Sequence, residues 1–161
     1  MAKYKTIIGR YEFLELRELL SKDVPVKIDT GAYYSAINAK DINIVKKDGV
    51  DILSCIILAG HPSYPYERKF ETGKFEKRSI ENSFGHSEYR YVVNLKIKLA
   101  NKVLVSQFTL ADRSTKTFPI LIGRKLLNNR FLVDTSLCHI PKQFMTKYTP
   151  KALNDEGGHV S

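Results

Sequence analysis

From Tyr89 to Leu99 the chain alternates between apolar and polar residues with hardly a break. Tyr91, Val93, Leu95, Ile97 and Leu99 take one set of positions, and Asn94, Lys96 and Lys98 fall between them. A period of two over this length is the signature of a β-strand with one face buried and the other in water. A helix would scatter the same residues around its whole circumference. Similar segments recur, with turn signals roughly every ten residues along most of the sequence, which predicts an all-β meander closing into a small barrel or sandwich. At 161 residues there is enough chain for about one domain with a real core.

The expected strands can be placed in order. Residues 4–16 read as a strand with Gly9 as a bulge, although Glu15 to Leu20 also suits a short helical turn. Residues 24–29 form a second strand. Ala32 to Ala39 suits a turn and a short return strand, and residues 40–49 a polar turn. Asp51 to Ala59 is a further strand, followed by a Pro- and Gly-containing loop at 60–65. An arm at 74–81 leads into Asn82-Ser-Phe-Gly-His86, whose glycine sits where a hairpin tip belongs. After the alternating strand and an Ala100–Lys102 turn, Val103 to Leu110 returns. Residues 119–123 form a very apolar strand ending at Gly123. One or two helical turns follow over Arg124 to Asn128, then a last short strand at 131–134. The expected division is a domain over residues 1–140 and a C-terminal tail over 141–161, in which hydrophobic residues are sparse.

Twenty-six Lys and Arg against 17 Asp and Glu give a net charge of +9, which favours an anionic partner without choosing among nucleic acid, membrane surface and acidic polypeptide. Two cysteines, Cys55 and Cys138, are too few for a disulfide framework and suit reduced thiols. No apolar run has the length of a signal peptide core or a membrane span, so a cytoplasmic location without membrane contact is expected.

One strand carries a reactive group at its end. Val24, Val26 and Ile28 alternate and run straight into Asp29-Thr30-Gly31. A carboxylate at the end of a buried strand is costly unless it is hydrogen-bonded or has a task. A threonine hydroxyl can lock a neighbouring backbone, and a glycine admits close approach. Those are the needs of an aspartic peptidase around its acid, and they are equally those of an Asx turn that merely ends a strand. The tripeptide does not decide between them.

The spacing of further pieces adds to it. About 90 residues after Asp29 comes Ile120-Leu-Ile-Gly-Arg-Lys-Leu-Leu127, an apolar strand ending in glycine and followed by a short helix. With the hairpin candidate at Arg78 to Val93 between the two, this order resembles the retropepsins, the aspartic peptidases typified by retroviral proteases. A narrower resemblance runs from about Gly9 to Ser136. It rests on Gly9-Arg-Tyr-Glu12, Lys27-Ile-Asp-Thr-Gly-Ala32, Ser83-Phe-Gly-His-Ser-Glu-Tyr-Arg90, Thr109-Leu-Ala-Asp-Arg-Ser114, Pro119-Ile-Leu-Ile-Gly-Arg124 and Phe131-Leu-Val-Asp134. These are similar to a bacterial and archaeal retropepsin-like family labelled ATP-dependent zinc protease, which includes the RimB-type peptidases associated with ATP-grasp glutamate ligases. The resemblance implies a closed retropepsin-like barrel with one short helix after the apolar-Gly strand. It implies a catalytic loop of Asp29, Thr30 and Gly31, with Ala32 beside the substrate and Phe84, Gly85 and His86 as the tip of a covering flap.

Neither half of the family's label has a motif here: a Gly-Lys-Ser/Thr phosphate loop and a His-Glu-x-x-His helix are both missing from the sequence. The candidate zinc ligands are His61, His86, His139, His159, Cys55 and Cys138, among which only Cys138 and His139 adjoin. No cofactor and no metal are therefore expected. An aspartic peptidase needs two carboxylates sharing a proton. Val133-Asp134-Thr135-Ser136 offers a second acid, but only 27 residues follow Asp134, too few for a second half-site. A homodimer contributing one Asp29 per copy is expected instead. Arg78, Arg90, Arg113 and Arg124 flank the flap and the apolar-Gly strand. Arginine binds carboxylates bidentately, so they suit an acidic peptide, and the association with glutamate ligases points to poly-glutamate tails and a functional link to such a ligase. Three readings stay open beside this one: a catalytically silent module binding an acidic peptide, a nucleic-acid module, and a zinc-dependent peptidase. Nucleic acid is disfavoured because the lysines are dispersed and no basic-aromatic pattern recurs.

Overall fold

A computed structural model describes residues 4–82 and 84–141. It contains eleven strands: β1 (Thr6–Ile8), β2 (Tyr11–Leu16), β3 (Leu20–Ile28), β4 (Ser35–Lys47), β5 (Val50–Ile57), β6 (Arg68–Thr72), β7 (Phe75–Glu81), β8 (Ser87–Leu99), β9 (Lys102–Ala111), β10 (Ile120–Ile122) and β11 (Phe131–Val133). The helix α1 spans Arg124–Leu127.

Six strands close on themselves in the order β10, β3, β2, β8, β9, β4 and back to β10. Closure depends on β10, which pairs in parallel with β3 (Ile120 opposite Val26) and antiparallel with β4 (Ile120 opposite Ile37). A closed barrel leaves no exposed ladder edge, and its interior takes alternate side chains from every strand. The alternation in β8 is used as expected. Val93, Leu95, Ile97 and Leu99 are buried, while Asn94, Lys96 and Lys98 face water. They meet Val24, Val26, Ile37, Phe108, Ile120 and Ile122 in one core, and Leu126 and Leu127 of α1 pack against it.

Three elements differ from the sequence expectation. The polar stretch from Lys40 is not a turn, because β4 continues to Lys47 and only Asp48-Gly49 reverses the chain, both at positive φ. The first five residues of β4 are buried because β9 and β10 flank them. After a register shift between Lys40 and Asn43 the strand leaves the barrel and pairs with β5, and there its own residues, Ile42 apart, are exposed, while Leu53, Cys55 and Ile57 of β5 supply the apolar face. Gly9 is a break rather than a bulge. β1 leaves to pair in parallel with β11, and a Cβ at Gly9 would overlap the backbone of Leu137. Residues Arg17 to Leu19 make a tight turn with Glu18 at φ 69°, not a helical one. The expected tail lies, beyond Pro141, outside the described residues. Among the described residues, no helix is long and apolar enough to cross a membrane.

Candidate active site

β3 carries Asp29 out of the barrel. Ile28 is the last buried residue of the strand, and Asp29, half-buried, begins the loop. The Asp29 amide donates to Ile122 O at 2.8 Å, so β10 fixes where the acid leaves the sheet. One carboxylate oxygen, Oδ1, accepts from the Gly31 amide at 2.9 Å, an Asx turn that sets the orientation of the carboxylate. The turn that ends the strand therefore also orients the carboxylate.

Gly123 lies behind this loop. Its amide donates to the buried Ser35 hydroxyl at 3.0 Å, and a Cβ there would stand 2.7 Å from Tyr33 O and 2.6 Å from Tyr34 O. The first amides of α1 have no partner within the helix. They donate instead to the loop, Arg124 N to Ala32 O at 2.8 Å and Lys125 N to Tyr33 O at 2.9 Å. Thr30 is exposed, and its carbonyl accepts from Arg124 Nη1 at 3.2 Å. The apolar-Gly strand and its helix therefore form the mould in which residues 29–33 are cast.

The flap candidate is the β7–β8 hairpin, with Phe75 opposite Val93 and Glu81 opposite Ser87. Its tip is organised by Asn82, whose side-chain oxygen accepts from the amides of Phe84 and His86, and Gly85 supplies the positive φ of 79°. Phe84 at the tip is an apolar ring 85% exposed.

The four arginines separate by environment. Arg78 holds Glu76 at 2.9 Å and donates to the Tyr34 hydroxyl at 2.6 Å. Arg90 is paired with Glu88. Arg124 lies over the Tyr33 ring. Arg113 alone of the four is buried: its amide is bound by Asn38 Oδ1 at 2.7 Å, its Nε donates to Phe118 O at 3.0 Å, and Nη2 has no hydrogen-bond partner among the described residues. Burial pushes its guanidinium down to about 10, the Arg90 charge adds to that, and Asp29 opposes it. Lys27, two residues before Asp29, is likewise lowered by burial and supported by Asp29. Cations thus flank the acid on β3 and on the loop after β9.

The remaining candidates lie apart from this loop. His61 is buried between Lys116 O and the Ser63 amide, and burial lowers its pKa. His139 pairs with the buried Glu12, which also accepts from the Gly9 amide. Asp134 follows β11, where its carboxylate takes the Ser136 amide and hydroxyl. His159 is outside the described residues. Among the described residues no group of three or more His, Cys, Asp or Glu could hold a metal ion. Sequence reasoning missed Lys27, Tyr34, Ser35 and Asn38. The run Tyr33-Tyr34-Ser35 directly after the tripeptide is the available signal for two of them, whereas Asn38 sits in an apolar run and reads as an interruption.

A family model described as "RimB-like: Retropepsin-like aspartic endopeptidase RimB" matches residues 7–143. The chain belongs to this RimB-like family. It is also 31% identical over 161 residues to a "Probable alpha-L-glutamate ligase" of Desulfotalea psychrophila, an alignment spanning 96% of this chain and 34% of that protein. A protein of the same description from Shewanella pealeana is 30% identical over 136 residues, 84% of this chain and 30% of its own length. The RimB-like chain therefore spans about a third of the length of these curated relatives. A crystal structure of a Legionella pneumophila protein of unknown function matches it with a TM-score of 0.63 and 26% identity, covering 83% of this chain and 96% of that one. The retropepsin-like barrel is thus common to the family match and to the closed six-strand sheet.

Proposed function

We propose that this RimB-like chain is one half of an aspartic endopeptidase that acts on acidic, poly-glutamate-like tails and works as a homodimer. The observation that carries the reading is the Asp29 loop. It is cast by Ile122, Gly123 and α1, and it presents a half-buried carboxylate whose orientation is set by the Gly31 amide. The acid of the chain's Asp-Thr-Ser triplet, Asp134, is engaged in its own turn with Ser136, so a second copy is the natural source of the second catalytic carboxylate. Two such groups at close range repel, so that one keeps a proton while the other is ionised. The ionised carboxylate takes a proton from water, and the oxygen attacks the scissile carbonyl. The protonated one hands its proton to the carbonyl oxygen. Thr30 and Gly31 support the paired loops, Ala32 lies beside the substrate, and Phe84, Gly85 and His86 cover it. Lys27, Arg90, Arg113 and Arg124 supply positive charge for glutamyl side chains, with Arg78 at the flap base. The ligase names of the relatives favour the same substrate class.

The test is Asp29→Asn, with cleavage of a glutamate-extended peptide followed by mass spectrometry and oligomeric state by sedimentation. A folded dimer that no longer cleaves is expected. Undiminished cleavage would refute the role of Asp29, and activity lost to a chelator and restored by zinc would revive a metallopeptidase. Tight binding of the peptide without cleavage by the wild-type chain would instead favour a silent binding module, the reading that the ligase names and the cationic wall also support.

A further inference from the structure

Five side chains from four elements form a closed circuit beside the Asp29 loop. Arg78 on β7 donates from Nη1 to the Tyr34 hydroxyl at 2.6 Å, and its Nε and Nη2 hold Glu76 at 2.9 and 3.1 Å. Glu76 accepts from Gln107 Nε2 on β9 at 3.3 Å. The other end of the Gln107 amide accepts from Lys125 Nζ on α1. Lys125 returns over the Tyr34 ring at 5.3 Å from its centre, and Arg78 lies over the same ring at 5.8 Å. Tyr34 is the only member on the loop between β3 and β4. Its carbonyl abuts Gly123, so its backbone belongs to the mould of the catalytic loop while its side chain reaches the hairpin.

We infer that Tyr34 is a positioning residue that couples the β7–β8 hairpin to the Asp29 loop and so sets how the flap stands over the acid. The inference rests on the peptidase reading for its consequence in catalysis, but the coupling itself does not. The hydroxyl is the part that matters for direction. A cation over a ring face tolerates sliding, whereas an oriented N–H···O bond to a guanidinium fixes one geometry. Arg78 is satisfied on all three nitrogens in this arrangement, so the base of the hairpin is held while Phe84 at its tip stays exposed. A flap of this kind is stiff at the root and free at the end. Its root is tied to the residue five positions after the catalytic acid.

The experiment compares Tyr34→Phe, which keeps the ring and removes the hydroxyl, with Tyr89→Phe, a control on the same hairpin whose ring is 72% exposed. Amide hydrogen exchange is read over residues 75–93, and KM and kcat on the glutamate-extended peptide. For Tyr34→Phe, exchange in the hairpin is expected to speed up roughly five- to tenfold, the loss of one charge-assisted bond. KM is expected to rise by a similar factor with kcat changed less than about twofold. Tyr89→Phe should change neither. Hairpin exchange unchanged in Tyr34→Phe would overturn the coupling. Faster exchange with unchanged KM would overturn the positioning role and leave Tyr34 merely structural. If the wild-type chain cleaves nothing, the peptidase reading fails, and exchange alone still decides whether Tyr34 restrains the hairpin.

Discussion

Replacing Gly123 by alanine tests whether the apolar-Gly strand really is the mould of the Asp29 loop. Gly123 has φ −98° and ψ 177°, a conformation that alanine adopts freely, so any cost comes from contact and not from backbone strain. The added methyl carbon would sit 2.6 Å from Tyr34 O and 2.7 Å from Tyr33 O, both backbone atoms that cannot rotate away. Overpacking of this kind costs about 1–3 kcal/mol. If the loop retreats to relieve it, the bonds from Gly123 N, Arg124 N and Lys125 N to Ser35, Ala32 and Tyr33 lengthen, each worth about 0.5–1.5 kcal/mol. The smaller entropy of the unfolded alanine chain returns about 0.4–1 kcal/mol. The expected net destabilisation is about 2–4 kcal/mol, or roughly 10 °C in Tm for a domain of this size. With no tryptophan in the chain, denaturation is followed by far-ultraviolet circular dichroism in urea. Gly73→Ala is the control, because among the described residues its methyl would meet only Ile52, at an ordinary 3.5 Å. Should Gly123→Ala match wild-type stability to within about 0.5 kcal/mol, the close contact does not shape the loop and the reasoning fails.

Two further substitutions probe the polar ties around the site. Asn38 is fully buried, donating to Ala59 O at 3.0 Å and accepting from the Arg113 amide at 2.7 Å, so Asn38→Ala strands two backbone groups and is expected to cost about 3 kcal/mol by urea denaturation. A loss under about 1 kcal/mol would mean that water replaces it without difficulty. His61 has its pKa lowered by burial, so the unfolded chain takes up a proton first as the pH falls through about 6.5. Its contribution to stability is complete above that value and declines below it towards the lowered folded pKa, by at most about 1.4 kcal/mol per pH unit. Stability measured from pH 7 down to about 5 should therefore fall more steeply in the wild type than in His61→Gln. Equal slopes would show that His61 does not titrate differently in the two states.

What could be read from the residues follows the range of the forces involved. The β8 alternation and the strand leading to Asp29 are local patterns dictated by burial on one face, and the structure reproduces them. Gly123 was legible as the end of an apolar strand, whereas the carbonyls of Tyr33 and Tyr34 that a side chain there would meet lie about 90 residues earlier and no local pattern shows them. The distal half of β4 was not legible, since exposed positions there let Lys46 and Lys47 serve as strand residues, and polarity then imitates a turn. The break at Gly9 depends on Leu137 docking against it, a contact spanning most of the chain that no periodicity encodes. The same holds for Tyr34, whose partner Arg78 is 44 residues away, and for Glu12, buried with His139 on the far side of the sequence. Such polar ties interrupt apolar patterns, so pattern reading discards the residues that bind the site together.

The barrel's closure bears on the proposed half-site. β3 is flanked by β2 on one side and β10 on the other, so the strand that carries Asp29 has no free edge for another segment to join. Its acid projects from the end of the sheet, and the loop carbonyls behind it are already taken by α1. Lys27 and the buried Arg113, whose charges couple to Asp29, belong to the same protomer and, on the proposed reading, would contribute no second general acid. A group able to complete the dyad must therefore approach across the open face of the loop. On the proposed reading a second copy would bring there an identical loop with an identical carboxylate, and a two-fold axis is the one arrangement in which each acid would see the other in the same geometry.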